Sequence, residues 1–322
     1  MELYIEKEFL DNFYLDYSDD NSIHEIVKRL ITRYGNKKVF IDIDDFTALD
    51  ADKGIKLLEQ LKYDNELFSL ICDNDRLPIP VKSIKEHLFS KCNFTQTLVF
   101  TNEKQEWFIE AQKKGALCFS FNTYMQDIKT IVEKLHFKID LSEKIQNWSF
   151  IGNYDYLNFN SIVITDNYIL SNKTNQYIID NLIPLLKNMV KEKVSKINID
   201  IITLDLNPIS EEEKHKKEKA KKRHKLLNSR FAKANVKFKI FINIKDFNKN
   251  DFHDRNILTN FSILDSGKGF NLFPFKKSNS QIISETIFEK FTYDRLNRIK
   301  EMQSEYLKNI NNAKTSYFLS YP

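Results

Sequence analysis

Phe252-His253-Asp254-Arg255-Asn256-Ile257-Leu258-Thr259-Asn260, running on from Phe261 to Gly267-Lys268-Gly269-Phe270, is the stretch that decides how this chain is read. A histidine, a fixed cation, a short polar side chain and a glycine turn follow one another there at chemically useful spacing. Phe252 to Asn260 reads as a strand, and Phe261 to Leu264 leads on to the glycine turn. On a strand, His253 and Arg255 stand two residues apart and so share a face. Asn260 comes five residues after Arg255, and six residues separate it from Gly267.

That spacing resembles the phospholipase D signature, in which His-x-Lys is followed by four residues, an Asp, six residues and a Gly. Arg255 stands at the Lys position, Asn260 at the Asp position, and Gly267-Lys268-Gly269-Phe270 at the terminal turn. The form HDR … GKGF is more similar still to the phospholipase-D-like C-terminal domain of MIT-domain proteins. Ser161-Ile-Val-Ile-Thr-Asp-Asn-Tyr-Ile-Leu170, followed by a helix near Gln176 to Lys193, resembles the entrance to the same domain. The likeness spans residues 155–290.

The resemblance implies a phosphoryl site with His253, Arg255 and Asn260 as the catalytic set and Gly267, Lys268 and Gly269 as phosphate-binding residues, Lys276 and Lys277 adding charge. Imidazole is a competent nucleophile and acid near neutral pH. A guanidinium neutralises phosphoryl oxygens and can bind two at once. In the family a second histidine from a second motif protonates the leaving group. Here the histidines are His24, His87, His136, His215, His224 and His253, and His253 alone has that context. Catalysis therefore implies a homodimer. The MIT-type relatives point instead to phosphoinositide-membrane binding without turnover, and the replacement of Asp by Asn260 leans the same way.

Further out, 322 residues suit two domains with their own cores, divided as 1–144 and 145–322. The chain is 42% hydrophobic and 29% charged, the composition of a globular rather than a disordered chain. No apolar run reaches membrane-span length, and the start lacks signal-peptide character. Three scattered cysteines fit reduced thiols in a cytoplasmic protein. The net charge of +4 conceals a split: residues 1–150 carry −6 and the remainder +10. The C-terminal half is the one to attract phosphate.

In the N-terminal half, strands at Val39–Ile43, Leu67–Cys72, Thr97–Phe100 and Leu117–Phe121 alternate with helices over Asp52–Tyr63, Ser83–Lys91, Asn102–Lys114 and Tyr124–Leu135. This rhythm predicts a Rossmann-like parallel sheet covered on both faces. LVFTNEKQEWFIEAQKKGALCFSFNTY resembles the end of a PIN-type nuclease and, with FIDIDD, a response-regulator receiver; DIDD is also similar to the nucleophile segment of haloacid-dehalogenase phosphatases. Asp42, Asp44 and Asp73 at strand ends form a candidate Mg²⁺ site. A catalytically silent domain with solvated carboxylates is the competing possibility, and the acidic start from Glu6 to Asp11 reads as an element edge.

In the C-terminal half, Pro184 must kink or split the helix after Ile162–Thr165. Strands follow at Ile197–Leu206 and Val236–Ile244. Between them Ser210 and Glu213 form a capping box that opens a strongly basic helix. Its apolar face comes late, at Leu226, Leu227, Phe231 and Ala234, so Lys216, Lys217, Lys221 and Arg223 are candidate nucleic-acid contacts. A solvated helix with Glu–Lys pairs is the alternative. Ile287 to Ile310 reads as a long, charged C-terminal helix for packing or self-association.

The fold class is thus α/β: a Rossmann-like domain, PIN- or receiver-like, then a phospholipase-D-like α/β domain. The expected function is phosphate-backbone binding, foremost of nucleic acid, and analogy suggests a bacterial conflict or phage-defence setting. Two alternatives stay open. One is a dimeric phospholipase-D-type nuclease or phosphodiesterase using His253. The other is a non-enzymatic scaffold for protein partners or anionic lipid. No cofactor is expected beyond the Mg²⁺ candidate.

Overall fold

A computed structural model describes residues 1–18, 20–32, 37–44, 78–142, 145–166, 168–170, 174–191, 196–204, 213–243, 255–274, 277–289, 292–301 and 317–319. The chain divides into two compact units, Met1–Val132 with Phe288–Lys290, and Glu133–Ile287 with Phe291–Pro322. Both are α/β. The expected helix at Asp52–Tyr63 and strand at Leu67–Cys72 lie outside the described residues.

The first unit is built on a five-stranded parallel sheet. Its strands are β1 (Glu2–Ile5), β2 (Lys38–Ile41), β3 (Ile79–Pro80), β4 (Thr97–Thr101) and β5 (Leu117–Ser120). They run in the order β3-β2-β1-β4-β5. The central strand is β1, which the sequence pattern did not reveal. It is four residues long, ends against charged neighbours, and so shows no period. Leu3, Tyr4 and Ile5 are nonetheless wholly buried, as a central parallel strand requires. Helices α1 (Lys7–Leu15), α2 (Ser22–Thr32), α3 (Ile84–Lys91), α4 (Phe108–Lys113) and α5 (Tyr124–Leu135) accompany the sheet. Ser83 caps α3 by accepting the Glu86 amide at 3.3 Å. The helix expected from Asn102 begins only at Phe108. The Thr101 hydroxyl instead donates to the Glu103 carbonyl at 2.6 Å, folding that segment into a turn.

The second unit is organised by an eight-stranded mixed sheet. Its strands are β6 (Phe137–Asp140), β7 (Ser161–Thr165), β8 (Ile197–Leu204), β9 (Val236–Asn243), β10 (Arg255–Thr259), β11 (Ser262–Ser266), β12 (Gln281–Thr286) and β13 (Tyr317–Leu319). The order is β13-β9-β8-β7-β10-β11-β12-β6. β7, β8 and β9 are parallel; the remaining pairs are antiparallel. A 3-10 segment (Trp148–Tyr156) buries Trp148 beside Phe270, with ring centroids 6.4 Å apart.

Pro184 leaves a visible mark. It lies in the first turn of α6 (Ile183–Val190), and a π-turn (Ile178–Leu182) precedes it. The wider turn accommodates a residue that has no N–H and crowds the carbonyl four back. The buried Asn181 in that turn fastens it to the opposite loop, accepting the Phe273 amide at 2.7 Å and donating to the Phe273 carbonyl at 2.8 Å.

The basic helix is α7 (Glu213–Arg230). Its buried face starts earlier than the apolar pattern predicts. Ala220, Arg223, His224 and Leu227 lie inward, followed by Phe231, whereas Ala234 is exposed. His224 Nε2 meets the Phe238 carbonyl of β9 at 3.0 Å, and Phe231 packs edge-on to Phe238. Two residues that look polar in sequence therefore extend the packed stripe by a turn.

Candidate functional site

The end of the mixed sheet at which β7 stops is also where β10 begins, because those two central strands run antiparallel. Asn256 pairs with Thr165 and Arg255 with Ser266. Asp166, the residue after β7, is thereby delivered to Arg255, the first residue of β10. The turn after β11 closes the third side.

Three contacts hold the Arg255 side chain, which is 18% exposed. Its Nη1 donates to the Gly267 carbonyl at 3.1 Å. Its Nε lies 3.9 Å from Asp166 Oδ1. Its guanidinium carbon stands 4.8 Å from the centre of the Tyr168 ring, a cation–π stack. Among the described residues Nη2 has no acceptor. A planar, permanently charged fork is thus held on three sides.

Asp166 is 1% exposed and fully engaged. Its Oδ1 accepts the Tyr168 amide at 2.8 Å and its Oδ2 the Phe270 amide at 3.0 Å. Burial pushes its carboxyl above the ordinary range, and the two amides and Arg255 pull it part of the way back. The turn needs glycine at one place. Gly269 has φ of +83°, and a Cβ there would come within 2.8 Å of Asp166 Oδ2 and 2.9 Å of Arg255 Cδ. The Ser266 hydroxyl donates to the Gly269 carbonyl at 2.6 Å, and Lys268 projects into solvent.

Among the described residues singled out by sequence, Asn260 does not converge here. Asn260 lies beyond the far end of β10, roughly 17 Å along the strand from Arg255 at the usual rise per residue. It is fully buried, accepts the amides of Asn160 at 3.2 Å and Ser161 at 3.0 Å, and donates to Asn160 Oδ1 at 2.9 Å. It clamps two strand ends and does not orient a group beside Arg255. His253 and Lys276 lie outside the described residues. Lys277 is exposed. On α7, Lys221, Lys222 and Lys225 are exposed, but Arg223 is buried and does not belong to that charged face. Lys216 and Lys217 fall on the helix, with side chains outside the described set.

In the first unit, Asp42 follows β2, and its Oδ1 accepts the Lys7 amide at 2.6 Å. Asp44 is exposed, and Asp73 lies outside the described residues. Glu6, which follows the central strand, accepts the Asn102 amide at 2.7 Å. Burial raises the carboxyls of both Glu6 and Asp42, and Asp42 raises Glu6 further. These acids fill strand-end amides with the chain's own oxygens. No group of three metal-ligating side chains is placed to hold an ion among the described residues. Of the expected Mg²⁺ set, Asp42 and Asp44 are described and Asp73 is not.

With the geometry in place, comparison with known proteins finds one family whose model matches: the phospholipase D-like domain at the C-terminus of MIT, over residues 149–307. That segment carries the phospholipase D-like domain. The match covers just under half of the chain, and Arg255, the glycine turn, Asp166 and Tyr168 all fall inside it. Among solved structures, a phosphatidylserine synthase from Haemophilus influenzae Rd KW20 is 11% identical, with a TM-score of 0.30, over 53% of this chain and 36% of that one. The chain thus spans about a third of that protein's length. No curated protein matches. Sequence reasoning about the phospholipase D-like domain missed Asp166 and Tyr168. The one available signal was an acid directly after an Ile-Val-Ile-Thr strand, and nothing local tied it to Arg255.

Proposed function

We propose that the phospholipase D-like domain binds phosphodiester ligands, foremost single-stranded nucleic acid, at the Arg255 pocket. The observation that carries this is the Arg255 guanidinium, held by Asp166, Tyr168 and the Gly267 carbonyl with Nη2 uncommitted among the described residues. An arginine fixed in this way meets a phosphoryl group with strong, directional hydrogen bonds. Exposed Lys268 adds charge at the turn, and Lys221, Lys222 and Lys225 offer a sequence-independent attraction along α7. The positive balance of the C-terminal half supports the same assignment.

The test is fluorescence anisotropy with a labelled oligonucleotide across a salt series, for the unmodified chain and Arg255→Ala. Removing the guanidinium should weaken binding about tenfold or more, the worth of one hydrogen bond to a charged group. Unchanged affinity would exclude the pocket. Binding confined to anionic vesicles would favour the lipid-scaffold alternative. Cleavage that survives EDTA and vanishes in His253→Ala would favour a dimeric phosphodiesterase.

A further inference from the structure

We infer that Asp166 is the positioning residue of the Arg255 pocket, and that protonating its carboxylate releases the guanidinium and with it the captured phosphodiester. The inference rests on the phosphodiester function proposed above. One carboxylate joins three pieces of chain. It meets the loop after β7 through the Tyr168 amide, the start of β10 through Arg255, and the residue after the glycine turn through the Phe270 amide. An asparagine could not replace it. It offers a single oxygen, and its NH₂ would face a second N–H donor.

The approach is close because the chain makes room for it. Any side chain at Gly269 would collide with both Asp166 Oδ2 and Arg255 Cδ. Arg255 Nε is buried without a hydrogen bond, so the ion pair and the Tyr168 ring fix the plane of the fork. Loss of the negative charge would leave the ring and one carbonyl to hold a side chain with four rotatable bonds.

Among the described groups, Arg255 of β10 is the charged side chain acting on Asp166; Tyr168 lies on its own loop, and Lys268 extends from the turn into solvent. Arg255 stays protonated throughout. Burial raises the Asp166 carboxyl, so it takes up its proton in milder acid than an exposed carboxylate would. The sign is informative. Protonation of a nearby histidine adds positive charge, so its direct effect is to strengthen anion binding, the opposite sign.

The experiment measures binding of a thymidine oligonucleotide without a terminal phosphate, whose backbone charge is constant, from mildly alkaline to mildly acid pH at fixed ionic strength. The unmodified chain should lose affinity on acidification along a one-proton curve. Asp166→Asn should bind about tenfold more weakly at the alkaline end, as for one charged hydrogen bond, and show no acid limb. Full affinity, or a surviving acid limb, in Asp166→Asn overturns the inference. If Asp166→Asn does not fold, the unmodified chain decides: a flat profile overturns the inference and an acid limb supports it. Arg255→Ala separates the two claims. If Arg255→Ala leaves binding intact, the pocket itself fails. If it abolishes binding while Asp166→Asn behaves as the unmodified chain, only the positioning role fails.

Discussion

Single residues divide into those that hold the pocket and those that hold the sheet, and substitution should tell them apart. Asn260→Ala removes a buried acceptor of two amides, so chemical denaturation should register a loss of about 1–3 kcal/mol. Diester affinity should stay as it was. Gly269→Ala should show both effects. Its positive φ and the close contacts with Asp166 and Arg255 give roughly 1–3 kcal/mol of strain and a weaker site. Acidification should weaken binding without a parallel loss of stability from Asp166. A carboxyl raised above its unfolded value binds its proton more tightly in the fold, so protonation between the two values stabilises the native state. Joint titration of affinity and melting temperature checks this. Legibility at this scale follows sequence distance. Arg255 and the glycine turn lie close together along the chain, and spacing alone points to them. Asp166 enters only through the pairing of β7 with β10, which spacing does not encode, and Asn260 has the right spacing but sits at the wrong end of a strand.

For elements, α7 is the sharpest case. Replacing Lys221, Lys222 and Lys225 together with Gln should lower the slope of log K against log salt by about 2, at some 0.7 per phosphate contact on a single strand. The melting temperature should hardly move, because all three are exposed. Leu227→Ala, on the inward face, should instead cost about 2–5 kcal/mol. Hydrophobic periodicity found α5, β7, β8 and β9 within a few residues, since each buries a regular apolar set. It failed on β1, too short to carry a period, and on β12, where inward Ile282, Ser284 and Thr286 alternate with outward Gln281, Ile283 and Glu285, so that apolar and polar residues fall on both faces. It also missed the early half of the inward face of α7. Arg223 and His224 serve there as packing residues, and a binary pattern counts them as solvent-facing.

Across the whole molecule, charge is divided: the N-terminal half is acidic and the C-terminal half basic. Binding should accordingly fall steeply between low and physiological salt, with oligonucleotide retained at equilibrium and not turned over. Product analysis by gel, with and without EDTA, checks the second point. One brace in the second unit bears on how such a chain is made. Arg295, on a helix over residues 292–301, donates to Glu285 of β12 at 2.9 Å and also to Asp265 of β11. During vectorial synthesis both acids leave the ribosome before the cation that neutralises them. Neighbouring strands thus emerge in mutual repulsion, and their consolidation is deferred until the final latch clears the exit tunnel.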